Sequence, residues 1–173
     1  MNQIRPSWAN TSDLLRDYYD QEWGFPVTDS AEIFERIVLE GFQSGLSWET
    51  VLRKRPAFRQ AFAGFDPGVV AAFTEDDVER LLADPAIIRN ERKIRAAITN
   101  AKATVALEEA GQSLTELVWS FAPDDPYGEG PDAGRSPKSA ELAKELKRLG
   151  FTFVGPVTMF ALMQAIGMYD HRL

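Results

Sequence analysis

Cysteine is absent from this 173-residue chain, and histidine occurs once, at His171. The first absence excludes a disulfide framework, thiolate chemistry and any zinc–thiolate cluster. The second excludes a mechanism that needs several imidazoles. No apolar run is long enough to cross a bilayer, and the opening MNQIRPSWANTSDLL lacks a signal-peptide core. A cytoplasmic protein without membrane contact is therefore expected. Period-2 alternation is missing too, which argues against strands. With 45% hydrophobic and 26% charged residues the chain has enough apolar side chains for a core, and residues 1–173 read as one domain.

The net charge is −7, from 19 basic and 26 acidic residues. Taken alone this opposes nucleic-acid binding, because cations meeting phosphates supply most of that affinity. The distribution is uneven, however. Seven acids and one base lie between Asp13 and Glu35, whereas Arg53, Lys54, Arg55 and Arg59 form a basic run without an acid. Arg89, Arg92, Lys93 and Arg95 form another, interrupted only by Glu91. Such clusters make either a positive face or ordinary solvated helix faces.

Helical punctuation runs through the whole sequence. Helices are expected over Ser12–Tyr19, from Asp29 or Ser30 to about Gly41, and over Trp48–Lys54 with Ser47 as cap. Pro56 is expected to open a further short helix, and Asp66-Pro67 and Asp84-Pro85 each read as a cap followed by Pro at the first helical position. Thr74 caps a helix containing Val78 and Leu81. The longest helix spans about Asn90–Glu109, and Ser113–Phe121 follows. Residues 123–137, PDDPYGEGPDAGRSP, read as an exposed loop. Two helices, Ser139–Leu149 and Pro156–Ile166, close the chain. The fold class is all-α.

Between those last helices, LKRLGFTFVGPVTMF has the parts of a helix-hairpin-helix over about 139–167. Gly155 permits close approach of another molecule, and the N–H groups of Val157 and Thr158 open a helix at its positive end. The same features also suit an ordinary helix connection. Glu40 falls on the margin of the stripe formed by Ile33 and Ile37, with Glu32, Glu35 and Arg36 on the polar side. A carboxylate there must find partners or shift its pKa; it either serves a site or pairs with an arginine or a helix end. Trp8, Tyr18, Tyr19, Trp23 and Trp48 are candidates for a cage around a flat cationic ring, or for core packing, which is the reading taken for Trp119.

YYDQEWGFPVTDSAEIFERIVLEGFQSGLSWETVLRKR resembles the 3-methyladenine DNA glycosylase I family. So do FDPGVVAAFTEDDVERLL, IIRNERKIRAAITNA and RLGFTFVGPVTMFALMQAIGMYDH. The similarity runs from about Trp8 to His171. It implies a helix-hairpin-helix glycosylase fold of two helical lobes with the base pocket between them. It also implies a monofunctional enzyme that removes 3-methyladenine from alkylated double-stranded DNA, acting as a monomer without a cofactor, on a nucleotide turned out of the duplex. Glu40 would read the base edge and favour cleavage, Tyr18 and Trp48 would bracket the ring, and Trp8 and Trp23 would complete the wall. Ser44, Gly45 and Leu46 would approach the gap in the duplex, and Gly155, Val157 and Thr158 would hold a phosphate. Asp170 is a rival acid, expected to belong to the tail instead.

Many family members tie their ends together with zinc. The corresponding positions here are Pro6, Tyr19 and His171, so no metal is expected, and packing of Tyr19 and Trp8 would replace the clasp. A further pocket aromatic of the family is Leu15 here, which bears on pocket width. A catalytically silent binder of damaged DNA and a helical protein-interaction module are the competing functions.

Overall fold

The computed structural model describes residues 3–173, and among them every regular element is a helix. A 3-10 turn, Ser7–Asn10, leads into α1 (Asp13–Gln21), whose cap Ser12 accepts from the Leu15 N–H at 3.2 Å. Leu15, Tyr18 and Tyr19 form its buried face, at helical spacing. Asp29 caps α2 (Ser30–Gln43), and every residue from Ile33 to Phe42 is buried. This helix is central because α3, α6, α7 and α9 all pack around it.

Ser47 caps α3 (Trp48–Ala61), which runs through Pro56 without a break. The expected new helix at Pro56 is thus not there. Pro56 is exposed, and Val51, Leu52 and Phe58, buried on either side of it, hold the helix against the core although one backbone bond is lost. Asp66 caps α4 (Pro67–Ala71), and Thr74 with Asp77 forms a capping box for α5 (Glu75–Leu82). Asp84-Pro85 starts no helix. The Asp84 carboxylate accepts from Ala86 N–H at 2.9 Å in an Asx turn, and the short stretch to the next cap, Asn90, instead sends Ile87 into the core.

The long helix is α6 (Glu91–Glu109), and α7 (Leu114–Trp119) follows it. Trp119 packs against the core and donates from Nε1 to the Val27 carbonyl at 2.8 Å. Residues 120–136 are irregular and largely exposed, except that Gly130 and Ser136 are buried. Ser136 caps α8 (Pro137–Arg148), and Gly155 caps α9 (Pro156–Ala165). The α8 end is a Schellman turn: Gly150 N–H donates to Lys147 O and Phe151 N–H to Leu146 O, with Gly150 at φ 98°.

One further expectation is corrected, and one open alternative is decided. Glu35 and Arg36 are not on a solvated face; both are buried, because α2 is covered all round. The basic run of α3 is not an open positive patch either. Arg53 pairs with Glu49, Arg55 with Glu22 and Arg59 with Glu35, so its charge is largely spent inside the protein. In the second basic run Arg89, Arg92 and Arg95 are exposed, Arg95 pairing with Glu75 and Glu91, while Lys93 is buried.

Candidate active site

Most of the core is one apolar cluster, but Leu15, Tyr18 and Leu52 form a second, small one, with Trp8, Trp23 and Trp48 packed on it half-exposed. These rings do not close over one another. They line a cavity of about 440 Å³ whose other walls come from the C-terminal turn of α2, the start of α3 and one face of α9. The five pocket residues expected from sequence, Trp8, Tyr18, Trp23, Glu40 and Trp48, all line it, and so does Leu15.

Glu40 is 6% exposed in the cavity wall. Burial raises its carboxyl from the ordinary 4.5 to about 8, and the Arg36 guanidinium one turn earlier only partly opposes this. The group is therefore mainly protonated at neutral pH while the pocket is empty. Arg36 is not its salt-bridge partner; it donates to the Tyr18 hydroxyl at 3.3 Å and lies 5.8 Å from that ring's centroid. Burial pushes the Tyr18 phenol well above its ordinary range, so it stays neutral.

The Tyr18 and Trp48 rings are 5.7 Å apart at 50°, and Trp8 meets Trp23 edge-on at 5.7 Å. Tyr19 stacks behind Trp23 at 5.5 Å and props that wall. The Trp48 Nε1 is buried without a hydrogen-bond partner among the described residues. Sequence reasoning missed Thr11, Gln43, Ser47, Glu49, Ala161 and Gln164 in the lining. The last two belong to α9, and no local signal connects them with a pocket built from residues 8–49.

Ser44, Gly45 and Leu46 lie outside the cavity lining, in an exposed turn at its mouth, since Gln43 and Ser47 on either side do line it. Gln43 clamps the turn by donating to the Leu46 carbonyl at 2.7 Å. Gly45 has φ +78°, and a Cβ there would meet nothing within 4 Å. Gly155, Val157 and Thr158 form a separate surface at the start of α9, where the first intrahelical bond is Met159 N–H to Gly155 O. That leaves the Val157 and Thr158 N–H groups ahead of the ladder. Gly155 has ordinary extended backbone and no atom within 4 Å of a would-be Cβ, so nothing within the protein demands glycine there. The hairpin seats against α2 next to Glu40, where a Cβ on Gly41 would be 3.4 Å from Phe153 Cβ.

The sequence model of the methyladenine glycosylase family matches residues 8–173. The chain belongs to that family. It is 40% identical to the DNA-3-methyladenine glycosylase of Haemophilus influenzae, over 98% of this chain and 94% of that protein. It is 44% identical to DNA-3-methyladenine glycosylase 1 of Escherichia coli, over 96% of this chain and 92% of that protein. A crystal structure of a variant 3-methyladenine DNA glycosylase I in complex with 3-methyladenine superposes with a TM-score of 0.90 at 33% identity, covering 100% of this chain and 95% of that one.

The zinc that the family resemblance brings in does not fit the residues found here. Pro6 has no donor atom. The Tyr19 hydroxyl accepts from the Leu173 N–H at 2.8 Å. His171 accepts from Gln164 at Nδ1 (3.0 Å) and donates from Nε2 to Tyr127 O (2.6 Å), so both ring nitrogens are committed to the polypeptide. The ends meet by other means. The Arg172 guanidinium lies 4.4 Å from the Tyr19 centroid and 4.3 Å from that of Phe25, and it donates to the Tyr19 and Trp23 carbonyls. This cation closes the C-terminal end of α1 directly beneath the pocket wall. Asp170 is exposed and lies outside the cavity lining.

Proposed function

We propose that the protein is a DNA glycosylase that hydrolyses the bond between 3-methyladenine and deoxyribose in alkylated double-stranded DNA. It works as a monomer in the cytoplasm, without a cofactor. The observation that carries this reading is a buried carboxyl, without an ion-pair partner among the described residues, in an open aromatic cavity, within a chain of the methyladenine glycosylase family. Adenine methylated at N3 carries positive charge while attached to the sugar. Tyr18 and Trp48 stack on it, Trp8 and Trp23 close the wall, and Glu40 ionises as the cation arrives and accepts hydrogen bonds from the base edge.

So sparse a site suffices because the leaving group is already activated. As the bond to C1′ breaks, its electron pair passes to the purine, which becomes neutral, while water adds its oxygen to C1′ and releases one proton to solvent. The protein's share is to expose the base, hold its charge and admit water. Ser44, Gly45 and Leu46 fill the space the nucleotide leaves, and the helix-hairpin-helix N–H groups of Val157 and Thr158 hold a phosphate. No lysine occurs after Gly155, so that region offers no amine for a Schiff base with the sugar.

Methylated duplex incubated with the protein should yield 3-methyladenine, identified by chromatography and mass, from strands left abasic and uncut. Borohydride should trap no covalent complex. Tight lesion binding without release would favour the silent binder, and a lack of both would sink the nucleic-acid reading.

The openness around Gly155 gives a separate expectation. Gly155→Ala should cost less than about 1 kcal/mol of stability, the usual loss for alanine at a helix cap. Its Cβ would instead crowd the phosphate, so affinity for duplex should fall by about tenfold, a loss of about 1.4 kcal/mol. Thermal melts paired with fluorescence anisotropy separate the two; equal affinity would remove the hairpin from the interface.

A further inference from the structure

Behind the turn at the pocket mouth lies a lysine that the base chemistry does not use. Lys93, on α6, is 9% exposed, and its ammonium donates to Phe42 O at 2.9 Å and Ser44 O at 2.5 Å. It has no carboxylate partner among the described residues, and burial lowers its pKa. Isolated buried charge is unfavourable, and a methionine would fill the same volume without it. What the ammonium supplies is a grip on two carbonyls where α2 gives way to the 43–47 turn, the negative end of that helix.

Seven residues along the same helix, Asn100 grips the other exposed segment. Its Nδ2 donates to Thr152 O at 3.0 Å, and its Oδ1 accepts from Thr152 N–H at 2.8 Å. Two turns of helix separate the two grips by about 10 Å along one face. Phe153 against Gly41 adds direct contact between hairpin and α2. We infer that Lys93 is a positioning residue for DNA engagement: with Asn100 it makes α6 a spacer that fixes the gap-filling turn relative to the phosphate-holding hairpin. This rests on the DNA roles proposed above for those two segments.

Lys93→Met tests it through two ligands. One is free 3-methyladenine, followed by tryptophan fluorescence; the other is duplex containing a tetrahydrofuran abasic analogue. Duplex affinity should fall at least about tenfold, with free-base binding held within about twofold. The salt dependence of duplex binding should keep its slope, because Lys93 touches no phosphate. A slope smaller by about one would show a direct phosphate contact and overturn the positioning role. Folded Lys93→Met protein that binds duplex like wild type, or loses both ligands equally, would overturn it as well. Lys93→Gln, which keeps N–H donors without charge, should recover part of the duplex affinity, and it serves as the test if the methionine variant does not fold. Wild-type protein that binds neither ligand would overturn the underlying glycosylase reading, a separable result.

Discussion

Glu40→Gln should make the protein more stable and less active, by amounts that both grow as pH rises. In the folded state the carboxyl titrates at about 8, against an ordinary value of 4.5. A carboxyl with a raised folded pKa binds its proton more tightly in the native state. The stability it contributes is complete below 4.5 and is lost as pH rises towards 8. At pH 7 the loss is roughly 2–3 kcal/mol once water in the open cavity screens the charge, since each unit is about 1.4 kcal/mol. Glutamine has the same shape and never ionises. Its melting temperature at pH 7 should therefore exceed that of wild type by about 5–10 °C, using about 2–4 °C per kcal/mol for a domain of this size. Near pH 4.5 the two proteins should melt together. A constant difference across that range would mean that Glu40 is not the titrating group.

Turnover should move the other way. A charge-assisted hydrogen bond to a cationic base contributes about 1.5–3 kcal/mol, so kcat/KM on methylated duplex should drop about tenfold to a hundredfold in Glu40→Gln. The wild-type value should climb as pH rises from 6 and level off above about 8, because the cation pairs with the ionised carboxyl. The variant should show no such limb. The carboxyl thus stores instability in the empty pocket that the arriving cation relieves, and stability at neutral pH is given up for selectivity towards positive charge.

How much of this was legible in the sequence follows the range of the interactions concerned. Caps act over three residues, so Ser12, Asp29, Ser47, Asp66 and Ser113 mark helix starts from composition alone. Pro56 and Asp84 misled because each local signal was ambiguous and the core decided between its outcomes. The five pocket residues could be named because the family resemblance carried them over; residue pattern alone left each one open between site and core. Sequence position left Glu40 open between a partner and a shifted pKa; burial in the cavity wall decides for the shift, with Arg36 turned to Tyr18 and only partly opposing it. Lys93, Asn100 and Arg172 were not legible, since their partners lie 49 or more residues away. The basic clusters read equally as a positive face or as solvated helix faces, and the ion pairs of Arg53, Arg55, Arg59 and Arg95 with acids of distant or neighbouring turns were not legible in that pattern.

Gly167→Ala should be among the most damaging single methyl groups that can be added to this chain. Gly167 ends α9 in a Schellman turn, donating to Gln164 O while Met168 N–H donates to Met163 O. Its φ is +82°, and a Cβ would lie 2.7 Å from Phe25 C and Pro26 N and 2.9 Å from Gly24 O. All three are backbone atoms, so no rotamer change relieves the overlap. The same strand of backbone is held to α9 by Gly24 N–H to Ala165 O and Val27 N–H to Ile166 O, and it carries Trp23 on its N-terminal side. Relief must then come from moving residues 24–27, which breaks those bonds and shifts the pocket wall. Gly111 supplies the control. It ends α6 in the same kind of turn at φ +94°, but nothing lies within 4 Å of its Cβ position. Gly111→Ala should cost about 1–2 kcal/mol, the left-handed penalty alone, and leave base release unchanged. Gly167→Ala should cost about 3–5 kcal/mol and lower base release in the fraction that remains folded. Chemical denaturation of both variants, with turnover measured well below each midpoint, separates strain from clash. Equal losses would mean that the 24–27 segment yields freely, and that the pocket wall is not braced by the end of α9.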